Sequence, residues 1–261
     1  MLEAFHRHVK AEHGEWRKLP AADAVALVEQ IARDQLPQYE HGKFLADGAA
    51  RFTGEVLVTR LKLLMAALYA WLPQYDFNPA AAELAFNGDP GQLPAWQLAL
   101  PDGHTLILRG RIDRVDLFQL DAQTALAVVL DYKSSPRKLD ATRLHHGLEL
   151  QLLSYLGVLQ NLTSPEEIFA VKKIIPAGVF FIPLNGGNQP KSSRAQIAYR
   201  RQTDLAAYQH NGRFLADELR HFDNRGQRSG DQFKYSILKS GELGKRGNEA
   251  LPQAEFTALT E

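Results

Sequence analysis

Residues 104–133 read HTLILRGRIDRVDLFQLDAQTALAVVLDYK. Two apolar runs rich in β-branched residues flank a polar turn at Gln119–Thr124, the pattern of an antiparallel hairpin. The first strand carries Asp113 in Gly110-Arg111-Ile112-Asp113, and the second ends in Asp131-Tyr132-Lys133. A strand sends alternate side chains to opposite faces, so Asp131 and Lys133 share one face and Tyr132 takes the other. Asp116 falls on the opposite parity from Asp113 and reads as structural. A charged Asp-x-Lys closing the apolar run Leu126–Leu130 is costly unless it has a partner or a purpose. Two carboxylates and a lysine converging on one sheet edge suit a hard divalent cation, Mg²⁺ or Mn²⁺, with a cationic side chain beside it. Such a set can place a water or a phosphate at a centre that stabilises the charge of phosphodiester cleavage. The competing reading for Asp113 is an ordinary strand-end acid paired with Arg111 or Arg114.

Working outward, the segment before the hairpin predicts strands at Pro79–Phe86, Trp96–Leu100 and Thr105–Leu108, with Gly88–Pro94 and Pro101-Asp102-Gly103 as turns. Gly110 predicts a bulge or a close backbone approach. Residues 1–35 read as two helices, with Pro20 at the start of the second. Residues 44–72 form a long helical stretch with a broad apolar face, ended by Pro73. Beyond the hairpin, Ser134–Arg143 predicts a loop holding Arg137, Lys138 and Arg143, which is either a DNA-phosphate contact or an exposed loop. Leu144–Leu159 predicts an amphipathic helix on which Gln151 and Tyr155, four apart, share a face. Ile174–Leu184 reads as a buried strand, Asp204–Phe214 as a helix, and Gly226–Gly230 and Gly241–Gly247 as loops. Phe233 and Tyr235 are assigned to core packing rather than to base stacking.

The string GRID, a hairpin, DYKS, and then Gln151-Leu152-Leu153-Ser154-Tyr155 resembles the PD-(D/E)xK nuclease superfamily in its RecB-like branch. GRIDRVD, VVLDYKSS, KLD and HHGLELQLLSYL are similar, in order and wording, to the C-terminal nuclease domain of AddB-type helicase–nuclease proteins. The strong motifs cover residues 104–160, and a looser likeness extends over nearly the whole chain. The resemblance implies an α/β, restriction-endonuclease-like core, with a central mixed β-sheet flanked by helices and a helical N-terminal lead, as one domain over residues 1–261. It implies a metal site of His6, Asp113, Asp131 and the backbone carbonyl of Tyr132. His6 matches by its order in the chain, although the glycine that usually precedes such a histidine is absent. Lys133 would orient or help deprotonate the attacking water, and Gln151 and Tyr155 would position the strand and an active-site group. Glu83 occupies a place where a glutamate recurs in the family, either near the metal or as an ordinary strand residue. The implied activity is exonuclease-type DNA hydrolysis on single-stranded ends, with an AddA-like helicase–nuclease partner, in double-strand break repair by recombination.

Composition narrows the alternatives. The chain has 261 residues, a formal net charge of zero and no cysteine. Charge alone does not point to nucleic acid. Between Lys191 and Arg246 twelve Lys/Arg stand against six Asp/Glu, either a basic surface or a solvated segment. Disulfides and thiolate chemistry are excluded. AddB-type proteins commonly hold an iron–sulfur cluster on cysteines that would lie outside this stretch. The expectation is therefore a piece of a longer protein, the alternative a cluster-free lineage. The apolar stretches near Leu63–Leu72 and Ile174–Leu184 are too short to span a bilayer, no signal peptide is visible, and a cytoplasmic protein without membrane contact is expected. No GxxxxGK[ST], HExxH or GxSxG motif occurs. Rival readings are a non-catalytic DNA-binding or docking module on the same fold, which has no need of the full Asp/Asp/Lys set, a stand-alone Cas4-like exonuclease, and a plain structural α/β protein.

Overall fold

The computed structural model describes residues 1–135, 137–186, 204–244 and 247–259. In chain order the helices are α1 (Leu2–Glu12), α2 (Ala21–Gln35), α3 (Gly48–Trp71), α4 (Ala141–His145), α5 (Gln151–Gln160), α6 (Glu166–Phe169), α7 (Leu219–Phe222) and α8 (Gln253–Thr257). The strands are β1 (Asn78–Phe86), β2 (Trp96–Ala99), β3 (Thr105–Leu108), β4 (Gly110–Gln119), β5 (Thr124–Lys133), β6 (Lys173–Pro183), β7 (Asn211–Leu215) and β8 (Ala250–Leu251).

Six strands form one mixed sheet in the order β1-β4-β5-β6-β7-β8, while β2 and β3 make a separate two-stranded ribbon. The β4–β5 hairpin is antiparallel, with Arg114 opposite Leu130 and Gln119 opposite Ala125. Asp121 closes its turn by accepting from the Gln123 and Thr124 N–H groups at 2.7 and 2.9 Å. β6 then runs parallel to β5, and a parallel neighbour requires a crossover, here through α4, α5 and α6. With α5 packed against β5 and β6 and strand neighbours on both sides, β5 is buried from Ala125 through Asp131, which explains its near-continuous apolar sequence. This is the mixed α/β, restriction-endonuclease-like arrangement that the sequence motifs imply.

The N-terminal lead packs across the sheet. Phe5 and Val9 of α1 and Ala24, Val28 and Ala32 of α2 are fully buried, continuing the core of α3. Asp47 caps α3 by accepting from the Ala50 N–H at 2.8 Å. Together with its 3-10 extension to Gln74, this helix is long and apolar enough to cross a bilayer, longer than the apolar run read from the sequence. Leu64, Met65, Leu68 and Trp71 are nevertheless buried against protein. Each such side chain contributes about 2 kcal/mol of burial.

Two local expectations change. Leu144–Leu159 is not one helix: α4 ends at His145, Gly147 takes a left-handed φ of 68°, and α5 begins only at Gln151. The stretch Asp204–Phe214 forms a single 3-10 turn followed by β7, because Gly212 and Phe214 are held in the ladder against β6. Much of the basic stretch Lys191–Arg246 (residues 191–203, 245 and 246) lies outside the described residues. Phe233 and Tyr235 are core residues, 1% and 4% exposed.

Close approach bears on Gly110 and Gly212. A Cβ on Gly110 would stand 2.6 Å from the Phe86 ring, so the expected close contact is real. A Cβ on Gly212 would stand 1.8 Å from the Val179 carbonyl oxygen, a backbone atom that cannot step aside without breaking the β6–β7 pairing. Gly212→Ala should therefore lower unfolding stability by about 3 kcal/mol. Urea denaturation of the variant against the parent chain measures it.

Candidate active site

The hairpin register brings the predicted carboxylates together. Asp113 lies just beyond the last β4–β5 ladder pair, and its Oδ2 accepts from the Tyr132 N–H at 2.9 Å. That bond fixes the Asp113 side chain against the Asp-Tyr-Lys strand end. Asp131 is 1% exposed. Lys133 Nζ stands 2.7 Å from Asp131 Oδ2 as an ion pair, and the same Nζ donates to Gln151 Oε1 at 2.8 Å. Gln151 Nε2 in turn donates to the Tyr155 hydroxyl at 2.8 Å. The amide can satisfy a donor on one side and an acceptor on the other in only this orientation. Asp131, Lys133, Gln151 and Tyr155 thus form one relay from β5 to the first turn and a half of α5.

Electrostatics follow from burial. Desolvation pushes the Asp113 carboxyl above its ordinary value, opposed by the Tyr132 N–H and by Lys133. Burial also raises Asp131, with Lys133 opposing and the Asp113 charge adding to the rise. Tyr155 is raised by burial as well, although the Gln151 hydrogen bond pulls the other way. Two carboxylates held close in a desolvated place favour a cation between them.

Among the described residues no group of three His, Cys, Asp or Glu side chains is placed to hold a metal. Asp131 Oδ1 is nevertheless buried with no hydrogen-bond donor among the described residues, a cost that a cation would relieve. Mg²⁺ commonly takes one or two protein carboxylates and fills its remaining positions with water and phosphate oxygens. Asp113, Asp131 and a backbone carbonyl fit that chemistry.

His6 does not join this group. Its ring is 8% exposed and its Nδ1 accepts from Trp16 Nε1 at 3.2 Å. Its charged neighbours are Arg114, Lys10 and Asp116 rather than Asp113 or Asp131. Arg114 and Asp116 share the strand parity opposite to Asp113, so α1 delivers His6 to the other face of the sheet. The apolar spacing of α1 fixes that Phe5, His6 and Val9 face inward. Which sheet face receives them is a matter of packing.

That opposite face carries a buried ion pair. Arg114 Nε and Nη2 each donate to Asp116 at 2.6 Å, and Nη1 donates to the Tyr132 hydroxyl at 3.2 Å. The guanidinium also lies 4.7 Å from the centre of the Trp16 ring. Asp116 is structural, as its parity suggests, and Asp113 is paired with neither arginine. Arg111 instead pairs with Glu83 at 3.5 Å. Glu83 adopts a left-handed φ of 53° inside β1, at a step between Ala82 and Leu84 where the β1–β4 ladder lacks a pair. A non-glycine residue pays for that conformation. It places the Glu83 charge, with those of Asp131 and Asp113, around Tyr155. The sequence carries no local signal for this turn of the backbone.

A family model for the PD-(D/E)XK nuclease superfamily matches residues 1–232. The chain belongs to that superfamily. Among curated proteins it is 27% identical over 99% of its length to the B subunit of the ATP-dependent helicase/deoxyribonuclease of Alkaliphilus oremlandii, of which it covers 22%. It is 30% identical over 96% of its length to the protein of the same name from Geobacillus kaustophilus, covering 21% of that chain. A shorter match, 41% identical over 40% of this chain, is to the protein of that name from Oceanobacillus iheyensis, of which it covers 9%. The chain therefore spans about a fifth of the length of the first two relatives. Its likeness to AddB-type proteins extends beyond the hairpin to most of its residues.

Burial holds the His6 imidazole down at about 4, with the Arg114 charge adding to the effect. The unfolded ring takes its proton near 6.5, so the stability from neutral His6 is fully present above that value and is lost as pH falls from 6.5 to 4. His6→Gln should flatten the acid limb of stability by up to about 3 kcal/mol. Urea midpoints at about pH 7 and about pH 5 give the comparison. An unchanged acid limb would remove His6 from the buried, neutral role.

Proposed function

We propose that this superfamily member hydrolyses DNA phosphodiester bonds with a divalent metal, Mg²⁺ or Mn²⁺. The observation that carries the reading is the continuous set from Asp113 through Asp131 and Lys133 to Gln151 and Tyr155, held by one backbone hydrogen bond, one ion pair and two side-chain hydrogen bonds.

Asp113 and Asp131, with the Tyr132 carbonyl, would hold the ion. When bound, it supplies charge stabilisation at the phosphoryl oxygens and acidifies a coordinated water. Lys133 Nζ is tethered on both sides, so it can hold the attacking water in one place and help remove its proton. Gln151 fixes Lys133, and Tyr155 fixes Gln151, which makes both positioning residues rather than proton carriers. The Tyr155 ring also packs edge-on against Phe86.

The relatives are named as components of a helicase/deoxyribonuclease. By extension, the substrate is DNA exposed at an unwound end, the partner is an AddA-like helicase–nuclease, and the process is recombinational repair of double-strand breaks. The chain itself has no cysteine to bind an iron–sulfur cluster, and the proposed ligands to the divalent ion are oxygens.

The test is cleavage of end-labelled single-stranded DNA with Mg²⁺ or Mn²⁺. Asp131→Asn should lose cleavage, and Lys133→Ala should lower kcat by about 10²- to 10³-fold while Mn²⁺ binding, read by calorimetry, survives because both carboxylates remain. Full cleavage by Asp131→Asn would overturn the assignment.

A further inference from the structure

We propose that the segment from Arg137 to Leu150 is a seat for an unpaired nucleic-acid strand, with Leu148 and Leu150 against the bases and Arg137 and Arg143 toward the phosphates. This rests on the nuclease reading and specifies how its substrate is held.

The segment inverts the ordinary order of inside and outside. Leu148 is 66% exposed and Leu150 51%, while Glu149 between them is only 7% exposed. Isolated surface leucines are common, but a buried carboxylate flanked by two exposed leucines is not. The loop is tied down all the same. Glu149 accepts from the Asp140 N–H at 3.4 Å and pairs with Arg137 at 3.7 Å and Arg143 at 3.9 Å. The Leu148 N–H donates to the Arg143 carbonyl at 2.8 Å, and Gly147 supplies the left-handed turn that permits it. Leu139 is buried, and its carbonyl accepts from Arg213. The leucines are therefore held outward by a built loop.

The place and charge of the loop indicate what covers them. Leu150 directly precedes Gln151, the residue bonded to Lys133 Nζ. A strand whose phosphate lies at Asp113 and Asp131 must pass over the residues next to that relay. Glu149 holds Arg137 and Arg143 at the rim, each about half exposed. With Lys138 the segment carries three cations against Asp140 and Glu149, which suits a polyanion better than an apolar protein face. Apolar side chains gain from bases only where the bases are unstacked, so the fit is to an unpaired strand and not to a closed duplex.

Binding without metal separates the parts. Fluorescence anisotropy would compare a labelled oligothymidylate with an abasic oligonucleotide of the same length and charge. The parent chain should prefer the oligothymidylate. The double variant L148S/L150S should bind it about tenfold more weakly, with the abasic strand unaffected and the thermal midpoint unchanged. Arg143→Gln should weaken both strands and reduce the salt dependence. Equal losses on both strands in the leucine variant would overturn the proposal. No loss on either would do the same and assign the leucines to a protein contact, and so would a parent chain that binds neither strand or does not distinguish them. If the parent cuts DNA without that discrimination, the seat alone fails. If the discrimination is present but Asp131→Asn still cuts fully, the seat stands and the catalytic assignment fails.

Discussion

The site depends on the register of β4 against β5. A strand has a side-chain period of two, so a slip by one residue would turn every residue of a strand to the other face. In the observed pairing, Asp113, Asp131 and Lys133 meet on one side of the sheet, and Arg114, Asp116 and the Tyr132 hydroxyl meet on the other. The Asp121 turn sets that register from one end, and the Tyr132 N–H bond to Asp113 secures it at the other. The hairpin thus supports two polar clusters back to back, separated only by the backbone.

The two clusters face opposite physical demands. On the Arg114 side the charges are satisfied within the protein: two short hydrogen bonds to Asp116, one to Tyr132, and the Trp16 ring over the guanidinium. Such a pair costs its desolvation, and removing one partner alone would strand the other, at about 3–5 kcal/mol. On the Asp131 side the satisfaction is incomplete, because a buried carboxylate oxygen is left without a donor among the described residues. A buried group that lacks its partner is where a protein can hold a ligand. Tyr132 links the two sides, with its N–H at Asp113 and its hydroxyl at Arg114, so the tightly packed face braces the one that carries Asp113, Asp131 and Lys133.

The crossover between β5 and β6 completes the geometry. Parallel pairing of these strands requires the chain to return over the sheet, and the return delivers α5 beside Lys133. The break at Gly147 and the inward turn of Glu149 start α5 at Gln151. Gln151 therefore sits in the first turn, within reach of the strand end, and Tyr155 one turn further along reaches Gln151. A helix running unbroken from Leu144 would have no place for the loop that carries Glu149 and the two exposed leucines.

The sequence by itself determined the hairpin, the shared face of Asp131 and Lys133, the helical pairing of Gln151 with Tyr155, the close approach at Gly110 and the structural status of Asp116. These follow from periods of two and 3.6 residues and from glycine stereochemistry, all of which are local. Only the tertiary structure decided where His6 goes, because α1 can present its buried stripe to either face of a sheet and packing chooses. It also decided the left-handed Glu83, the burial of Glu149 and the strand at Asn211–Leu215 where a helix was expected. Each of these involves a partner on another element: Arg111 of β4 beside Glu83, Arg137 and Arg143 from before and within α4 around Glu149, and the β6 ladder for β7. Local propensity cannot anticipate a contact whose partner arrives from another element.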